Sequence, residues 1–236
     1  MNKQSILFSI VGLLIGFVGG FMLANSINRR DVEQAAIGQT ISSTPFINVQ
    51  TNPQTQSADI KDSPVAMMPD VAEKLEKAKN EPDNFDAQTS AGDMYAQIGR
   101  FDRAAEFYER ANKIRRADFK TIVKIGNAYF DLKNFETAEK WYRDALKINP
   151  EDVNVRTDFG LTFFLREPPD VDRAVREYQA SLAKNPNHEL TLQNLAAALR
   201  EKADRAALQE ILSRLEKVNP QNPVIPKYRA EFSSKN

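Results

Sequence analysis

A spacing of 34 residues constrains the fold of this chain more than any other feature of its sequence. Three glycines follow one another at that interval: Gly92, Gly126 and Gly160. An aromatic residue stands three places after each of them, as Tyr95, Tyr129 and Phe163. Self-similarity at a fixed period of this length indicates a repeat architecture, in which each unit packs against its neighbours along the chain.

Each unit also has a second small residue, with a second aromatic residue four places after it. The three pairs are Ala104 with Tyr108, Ala138 with Tyr142, and Ala174 with Tyr178. Prolines close successive units, at Pro150, Pro186 and Pro220. The interval from Pro150 to Pro186 is 36 residues, because "REPPDVD" lengthens the middle of that unit by two residues.

This pattern resembles the tetratricopeptide repeat (TPR), which is written W-x2-L-G-x2-Y, then A-x3-F, then P. The resemblance implies an all-α fold: a right-handed α-solenoid of antiparallel helix pairs, helix A and helix B, with about four TPR units and a capping helix at each end. Small residues let two helices approach closely, aromatic rings fill the space between units, and proline stops a helix. We expect repeats at about residues 85–118, 119–152, 153–188 and 189–222, with capping helices at 71–80 and 224–233.

The fourth unit departs most from this pattern. It has Ala196 in place of the glycine, Leu199 in place of the first aromatic residue, and Leu208 with Leu212 in place of the second pair. No unit has the opening tryptophan, and the first has Arg116 where the closing proline is expected. Because the helical periodicity of the fourth unit is intact, we still expect a helix pair there.

Repeat proteins of this kind bind extended partners on a concave face, which the A helices line. The groove-facing positions of the family, carried over to this chain, predict an apolar floor surrounded by polar residues. The floor consists of Phe130, Leu161, Phe164 and Leu165, and the rim of Lys120, Asn127, Gln193 and Arg200. An exposed apolar patch with a polar rim marks an interaction site, so we predict that a protein or peptide partner binds there. The alternative is that the N-terminal cap or the long third turn buries some of these residues.

The N-terminal region contains one long apolar segment. No charged residue occurs from Gln4 to Asn28, and about 20 such residues are enough to cross a bilayer as a helix. A cleaved signal peptide is the competing interpretation, but Met22 is bulky where a small residue is needed, and the apolar run is longer than about 7–15 residues. The sequence therefore predicts one N-terminal transmembrane helix within an anchor at residues 1–30.

Small residues recur at every fourth place of this segment. Gly12, Gly16, Gly20 and Ala24 would form one face of the helix, against which a second helix could pack. Glycine is also frequent in membrane helices without any such role. The pattern thus leaves open a homodimer formed through the anchors.

A polar linker follows the anchor. The chain has no charged residue from Gln34 to Ala58 and is rich in Ser, Thr, Gln and Pro, which predicts a disordered linker over residues 31–70. The Lys and Arg residues that flank the anchor are balanced between its two ends. The short basic start followed by an apolar run favours a repeat domain outside the cytoplasm.

The composition excludes several classes of function. The formal net charge is zero, which gives no indication of nucleic-acid binding. There is no cysteine and only one histidine, His188, so sites built from several such ligands cannot form. Motifs of nucleotide-binding, metalloprotease and serine-hydrolase enzymes are missing from the sequence. We predict no enzyme activity, no catalytic residue, no cofactor and no metal, and we expect His188 to be a helix-start residue.

These features together predict a membrane-anchored TPR scaffold or adaptor that holds a protein partner near a bilayer. The architecture is similar to that of anchored bacterial repeat proteins, which implies a single-pass protein of the bacterial inner membrane with a role in envelope assembly, cytochrome assembly or secretion. The alternative is a structural membrane protein that associates with itself through the glycine face of its anchor.

Overall fold

Residues 69–233 of the 236-residue chain are described by a computed structural model. This part of the chain contains ten helices and no strand. The helices are α1 (Pro69–Asn80), α2 (Phe85–Gln97), α3 (Phe101–Ile114), α4 (Phe119–Asp131), α5 (Phe135–Ile148), α6 (Val153–Leu165), α7 (Val171–Lys184), α8 (Glu189–Glu201), α9 (Arg205–Val218) and α10 (Val224–Ser233). The predicted all-α class is confirmed; the handedness of the stack stays a prediction.

Eight of these helices form four consecutive pairs, and each helix packs against the next one along the chain. The first helix of each pair (helix A) has 13 residues, and the second (helix B) has 14. Three residues connect the two helices in the first, second and fourth pairs, whereas residues 166–170 make the third turn longer by two. Because these turns are so short, helix B runs antiparallel to helix A and packs against it.

Asparagine and aspartate caps set where most of the paired helices begin. In six helices the residue before the first turn accepts a hydrogen bond from the backbone N–H three places further on. These residues are Asn84, Asp118, Asn134, Asp152, Asp170 and Asp204. Each cap satisfies a backbone donor that the helix itself leaves unpaired.

A close contact between glycine and tyrosine docks helix B onto helix A in the first three pairs. A Cβ atom on Gly92 would lie 2.4 Å from Cε1 of Tyr108, and on Gly126 or Gly160 it would lie 2.7 Å from Cε1 of the corresponding tyrosine. Real Cβ atoms do not approach a carbon so closely, so only glycine allows each ring to lie against helix A. All three rings, those of Tyr108, Tyr142 and Tyr178, are buried.

The fourth pair solves the same packing problem with different residues. Ala196 and Leu212 stand at the glycine and tyrosine positions, and both are completely buried. The larger residue on helix A is thus matched by a smaller one on helix B. This exchange explains why a unit without the signature residues still folds as a helix pair.

One further helix covers each end of the paired region. Leu75 and Ala78 of α1 pack with Ala87, Ala91 and Phe107 of the first pair. At the other end, α10 packs on α9, and its Val224, Ile225 and Tyr228 are buried. Both end helices therefore shield apolar surface that the terminal pairs would otherwise expose.

The N-terminal predictions fall mostly outside the described residues. Residues 1–68 are not among the described residues. They include the predicted anchor (1–30) with Gly12, Gly16, Gly20 and Ala24, and residues 31–68 of the predicted linker. The linker prediction is wrong at its C-terminal end, because α1 already begins at Pro69. None of the helices between residues 69 and 233 is long and apolar enough to span a membrane.

We expect Gly126→Ala to destabilise the second pair by about 1–3 kcal/mol, because the new methyl group overlaps the Tyr142 ring. Adding Tyr142→Leu should recover part of the loss, since the double variant reproduces the Ala196–Leu212 pairing of the fourth pair. Chemical denaturation of both single variants and the double variant measures this coupling. Strictly additive effects would contradict the proposed glycine–tyrosine contact as the cause.

Candidate partner-binding groove

The A helices lie side by side, as hydrogen bonds between them show. Lys124 of α4 donates to Asp93 of α2, with Nζ 2.7 Å from Oδ1. The hydroxyl oxygens of Thr157 in α6 and Thr191 in α8 are 2.6 Å apart. We use the name groove face for the surface formed by the four A helices, of which α4, α6 and α8 carry the eight residues predicted to form the groove.

Two of the four predicted floor residues are buried. Phe130 is 2% exposed and Leu161 is 1% exposed, so the prediction of an exposed apolar floor is wrong at both positions. The ring of Phe130 meets Phe135, the first residue of α5, edge-on with centroids 5.3 Å apart, because the three-residue turn brings α5 back over it. Leu161 lies on α6, which packs against α8 as well as against its own helix B, α7.

The part of the predicted apolar floor that stays accessible lies at the C-terminal end of α6, where Phe164 and Leu165 are half-buried. Two further half-buried apolar residues, Val123 and Leu190, lie toward the N-terminal ends of α4 and α8. The apolar area is therefore smaller than predicted and is displaced toward the long third turn.

A cluster of charges holds that turn in place. The buried carboxylate of Glu139 in α5 faces three arginines: it pairs with Arg143 and lies 3.7 Å from Arg166 and 3.6 Å from Arg173. Arg166 also lies 3.2 Å from Asp170 in the same turn. These contacts tie the third turn to the second pair and so fix the end of α6 that carries the apolar surface.

The rim residues differ in how they are held. Lys120 is exposed, whereas Asn127, Gln193 and Arg200 are half-buried. The Tyr142 hydroxyl donates to Oδ1 of Asn127 at 2.7 Å. All four rim residues thus remain at the surface, and three of them are held in position by contacts with neighbouring side chains.

Two of the rim residues are held by contacts with the C-terminal part of the chain. Nδ2 of Asn222 donates to Oε1 of Gln193 at 3.1 Å. The Arg200 guanidinium lies 4.8 Å from the ring centroid of Tyr228 and 3.4 Å from the Glu231 carboxylate. The region after α9 therefore orients polar side chains of the groove face as well as covering the last pair.

Sequence reasoning missed the ionic bridge between the first two repeats. Asp93 accepts hydrogen bonds from Lys124 and, at 2.7 Å, from the hydroxyl of Tyr108. The signal was available as a carboxylate at the ninth position of one repeat and a lysine at the sixth position of the next. Spacing alone did not show that these two positions meet across adjacent A helices.

A network of hydroxyls joins the third and fourth repeats. The side chains of Thr157, Ser181 and Thr191 lie within hydrogen-bond distance of one another, at 2.6–3.2 Å, and all three are buried. Nδ1 of His188, which directly precedes α8, lies 2.6 Å from the Thr191 hydroxyl. This contact ties His188 to the buried hydroxyls between the two repeats.

Comparison with protein families identifies the repeats. A tetratricopeptide repeat family matches residues 120–152, which span α4 and α5 almost completely. A second tetratricopeptide repeat family matches residues 71–118, which span α2, α3 and most of α1. The chain is a tetratricopeptide repeat protein. Repeat domains of this type act as protein-binding scaffolds.

Solved structures share the fold of this TPR protein. YrrB, a TPR protein with an unusual peptide-binding site, matches with a TM-score of 0.60 and 18% identity over 68% of this chain and 81% of YrrB. MamA from Desulfovibrio magneticus RS-1, from its residue 41 to its end, matches with a TM-score of 0.59 and 17% identity over 65% of this chain and 85% of that one. A search of curated proteins found no match.

We expect Phe130→Ala to lower the free energy of unfolding by about 3–5 kcal/mol, as is typical when a buried aromatic side chain is removed. Phe164→Ala should cost less, since part of that ring is already in water. The two residues occupy the same repeat position, so each is the matched control for the other in thermal and chemical unfolding. Equal losses would contradict the difference in burial.

The stability of the TPR protein should fall as the pH is lowered below about 6.5, through His188. Burial lowers the pKa of this imidazole from its ordinary 6.5, against the attraction of the Asp158, Asp152 and Glu189 carboxylates. The neutral form is therefore favoured in the folded state, and its contribution is complete above the unfolded pKa and lost as pH falls through the folded pKa. His188→Asn should flatten the pH dependence of the free energy of unfolding between about pH 7.5 and 5.5, because the chain has no other histidine and no cysteine. A slope that survives in this variant would assign it to other groups.

Proposed function

We propose that this TPR protein is a membrane-anchored scaffold that binds an extended segment of a partner protein on its groove face. The observation that carries the proposal is the combination, on one face, of polar groups held in position and half-exposed apolar side chains. Such a surface suits a partner whose backbone supplies hydrogen-bond acceptors and whose side chains supply apolar contacts.

The two amide side chains of the rim favour a peptide backbone. The carbonyl oxygens of Asn127 and Gln193 already accept hydrogen bonds, from Tyr142 and Asn222 respectively. Their NH₂ groups have no partner among the described residues. Each NH₂ group offers two donors, and an extended peptide presents a carbonyl acceptor at every residue.

Lys120 and the apolar pair Phe164 and Leu165 lie at opposite ends of neighbouring A helices. Lys120 is in the first turn of α4, is exposed and has no carboxylate partner in the part of the chain that the structure describes. Phe164 and Leu165 are at the last turn of α6. A helix of this length spans about 20 Å, which about six extended residues cover. The preferred partner segment therefore combines an acidic residue with an apolar residue about six positions away.

The similarity to solved structures supports the choice of a peptide. YrrB is a TPR protein with a peptide-binding site, and it shares the fold of this chain. The apolar segment from Gln4 to Asn28 supports an anchor that keeps the groove near a bilayer. With the repeats outside the cytoplasm, such a scaffold would serve envelope assembly, cytochrome assembly or secretion in a bacterial inner membrane.

The test uses the full chain in cells, with a photo-reactive amino acid at position 164 and, as a control, at Leu132, which is 41% exposed but lies in a turn outside the groove positions. After an alkaline carbonate wash, the chain should remain with the membrane pellet, and position 164 should cross-link one partner. The partner segment is then identified by mass spectrometry.

Binding of that segment should weaken by about 30-fold in Phe164→Ala, the change expected when a central aromatic contact is lost. Lys120→Glu should also weaken binding, whereas Lys140→Glu, an exposed lysine on helix B of the same repeat, should not. Equal cross-linking from positions 164 and 132 would move the binding surface away from the groove face. Release of the chain by carbonate would overturn the anchor alone.

A further inference from the structure

The third repeat contains a buried tyrosine that lacks the hydrogen bond made by its two counterparts. The rings of Tyr108, Tyr142 and Tyr178 all lie against a glycine of helix A in the same way, with Cε1 within 2.4–2.7 Å of the place where a Cβ would stand. The three hydroxyls are therefore delivered to equivalent places in their repeats.

In the first two repeats, the residue after the glycine on helix A accepts that hydrogen bond. Tyr108 donates to Asp93 and Tyr142 donates to Asn127, each at 2.7 Å. In the third repeat this position is Leu161, which has no acceptor. The Tyr178 hydroxyl consequently has no partner among the described residues, although Tyr178 is 0% exposed. Burial, together with the Asp158 carboxylate, raises the pKa of Tyr178 well above its ordinary value.

The A helix of the fourth repeat supplies a second buried polar side chain that lacks a hydrogen-bond partner. Between the first and second repeats, Lys124 places its ammonium group 5.7 Å from the centroid of the Tyr108 ring and bonds to Asp93. The equivalent residue of the fourth repeat is Asn194, which is 1% exposed. Its side chain is shorter than that of lysine, and neither its Oδ1 nor its Nδ2 has a partner among the described residues.

The interface between the third and fourth repeats thus contains three of the six buried side-chain N and O atoms that lack a hydrogen-bond partner in residues 71–231. Buried polar groups are almost always hydrogen-bonded, and buried water supplies the bonds that side chains do not, making about three each. A peptide on the groove face could not reach these atoms, because they are covered in the folded stack.

We infer that Tyr178 and Asn194 form a sealed hydration site that holds ordered water between the third and fourth repeats. Water accepts a hydrogen bond from the Tyr178 hydroxyl or the Asn194 NH₂ group and donates one to Asn194 Oδ1. At the interface between the first and second repeats, the polar groups are paired by the bridge between Lys124 and Asp93. At the interface between the third and fourth repeats, water takes the equivalent place. The inference is independent of the proposed partner and of the anchor.

The test compares Tyr178→Phe with Tyr142→Phe in the full chain purified in detergent. Tyr142→Phe removes a direct hydrogen bond and should lower the melting temperature by about 2–4 °C. If water completes the bonds of Tyr178, then Tyr178→Phe should lower it as well. A rise in melting temperature for Tyr178→Phe would show that the hydroxyl is buried without water and would overturn the inference.

A direct measurement supplements the melting data. In the chain labelled with ¹⁵N at asparagine, the Asn194 side-chain amide should show cross-relaxation to a long-lived water molecule. This signal should weaken in Tyr178→Phe, which removes one hydrogen-bond partner of the water, whereas the amide of Asn127 should be unaffected. No water signal at Asn194 in the parent chain would contradict the inference whatever the melting temperatures.

Discussion

The stack depends on the contact between a glycine of helix A and a tyrosine ring of helix B. It brings the two helices of a repeat so close that a Cβ atom at the glycine would not fit beside the ring. The buried ring of Tyr108 also packs with Ile125 and Ala128 of the next repeat. The tyrosine ring carries its hydroxyl to the groove face, where it orients Asp93 in one repeat and Asn127 in the next. A packing constraint thus also positions polar groups on the groove face.

Much of the fold could be predicted from the sequence, because the 34-residue period places small and aromatic residues where two helices must meet. The fourth repeat was predicted despite its missing signature, because its helical periodicity is intact. The structure adds that Ala196 and Leu212 fill the glycine and tyrosine positions of its core. The exposure of individual groove residues could not be predicted in this way. Whether Phe130 faces water depends on how closely the turn returns Phe135 over it, and whether Leu161 does depends on how closely α6 and α8 approach. The first distance is set by the turn within the second repeat, and the second by the packing of neighbouring repeats.

The groove face differs between its two halves as a result. In the first two repeats it is polar, with a lysine–aspartate bridge and an amide fixed by tyrosine. Toward the third and fourth repeats, buried hydroxyls draw the A helices together, and the accessible surface is apolar at the end of α6. A partner of the proposed kind that lay across both halves would meet each kind of chemistry in turn, which would give its binding a direction along the groove.

The longer third turn shows where this architecture accepts change. Two additional residues between α6 and α7 leave Gly160 and Tyr178 in the same contact as in the shorter repeats, and Glu139 with its arginines fastens the extra length to the second pair. Two additional residues in this turn therefore leave the register of the stack unchanged. Evolution can lengthen or rewrite this edge of the protein, and so alter what surrounds the apolar end of the groove, without disturbing the core on which every repeat rests.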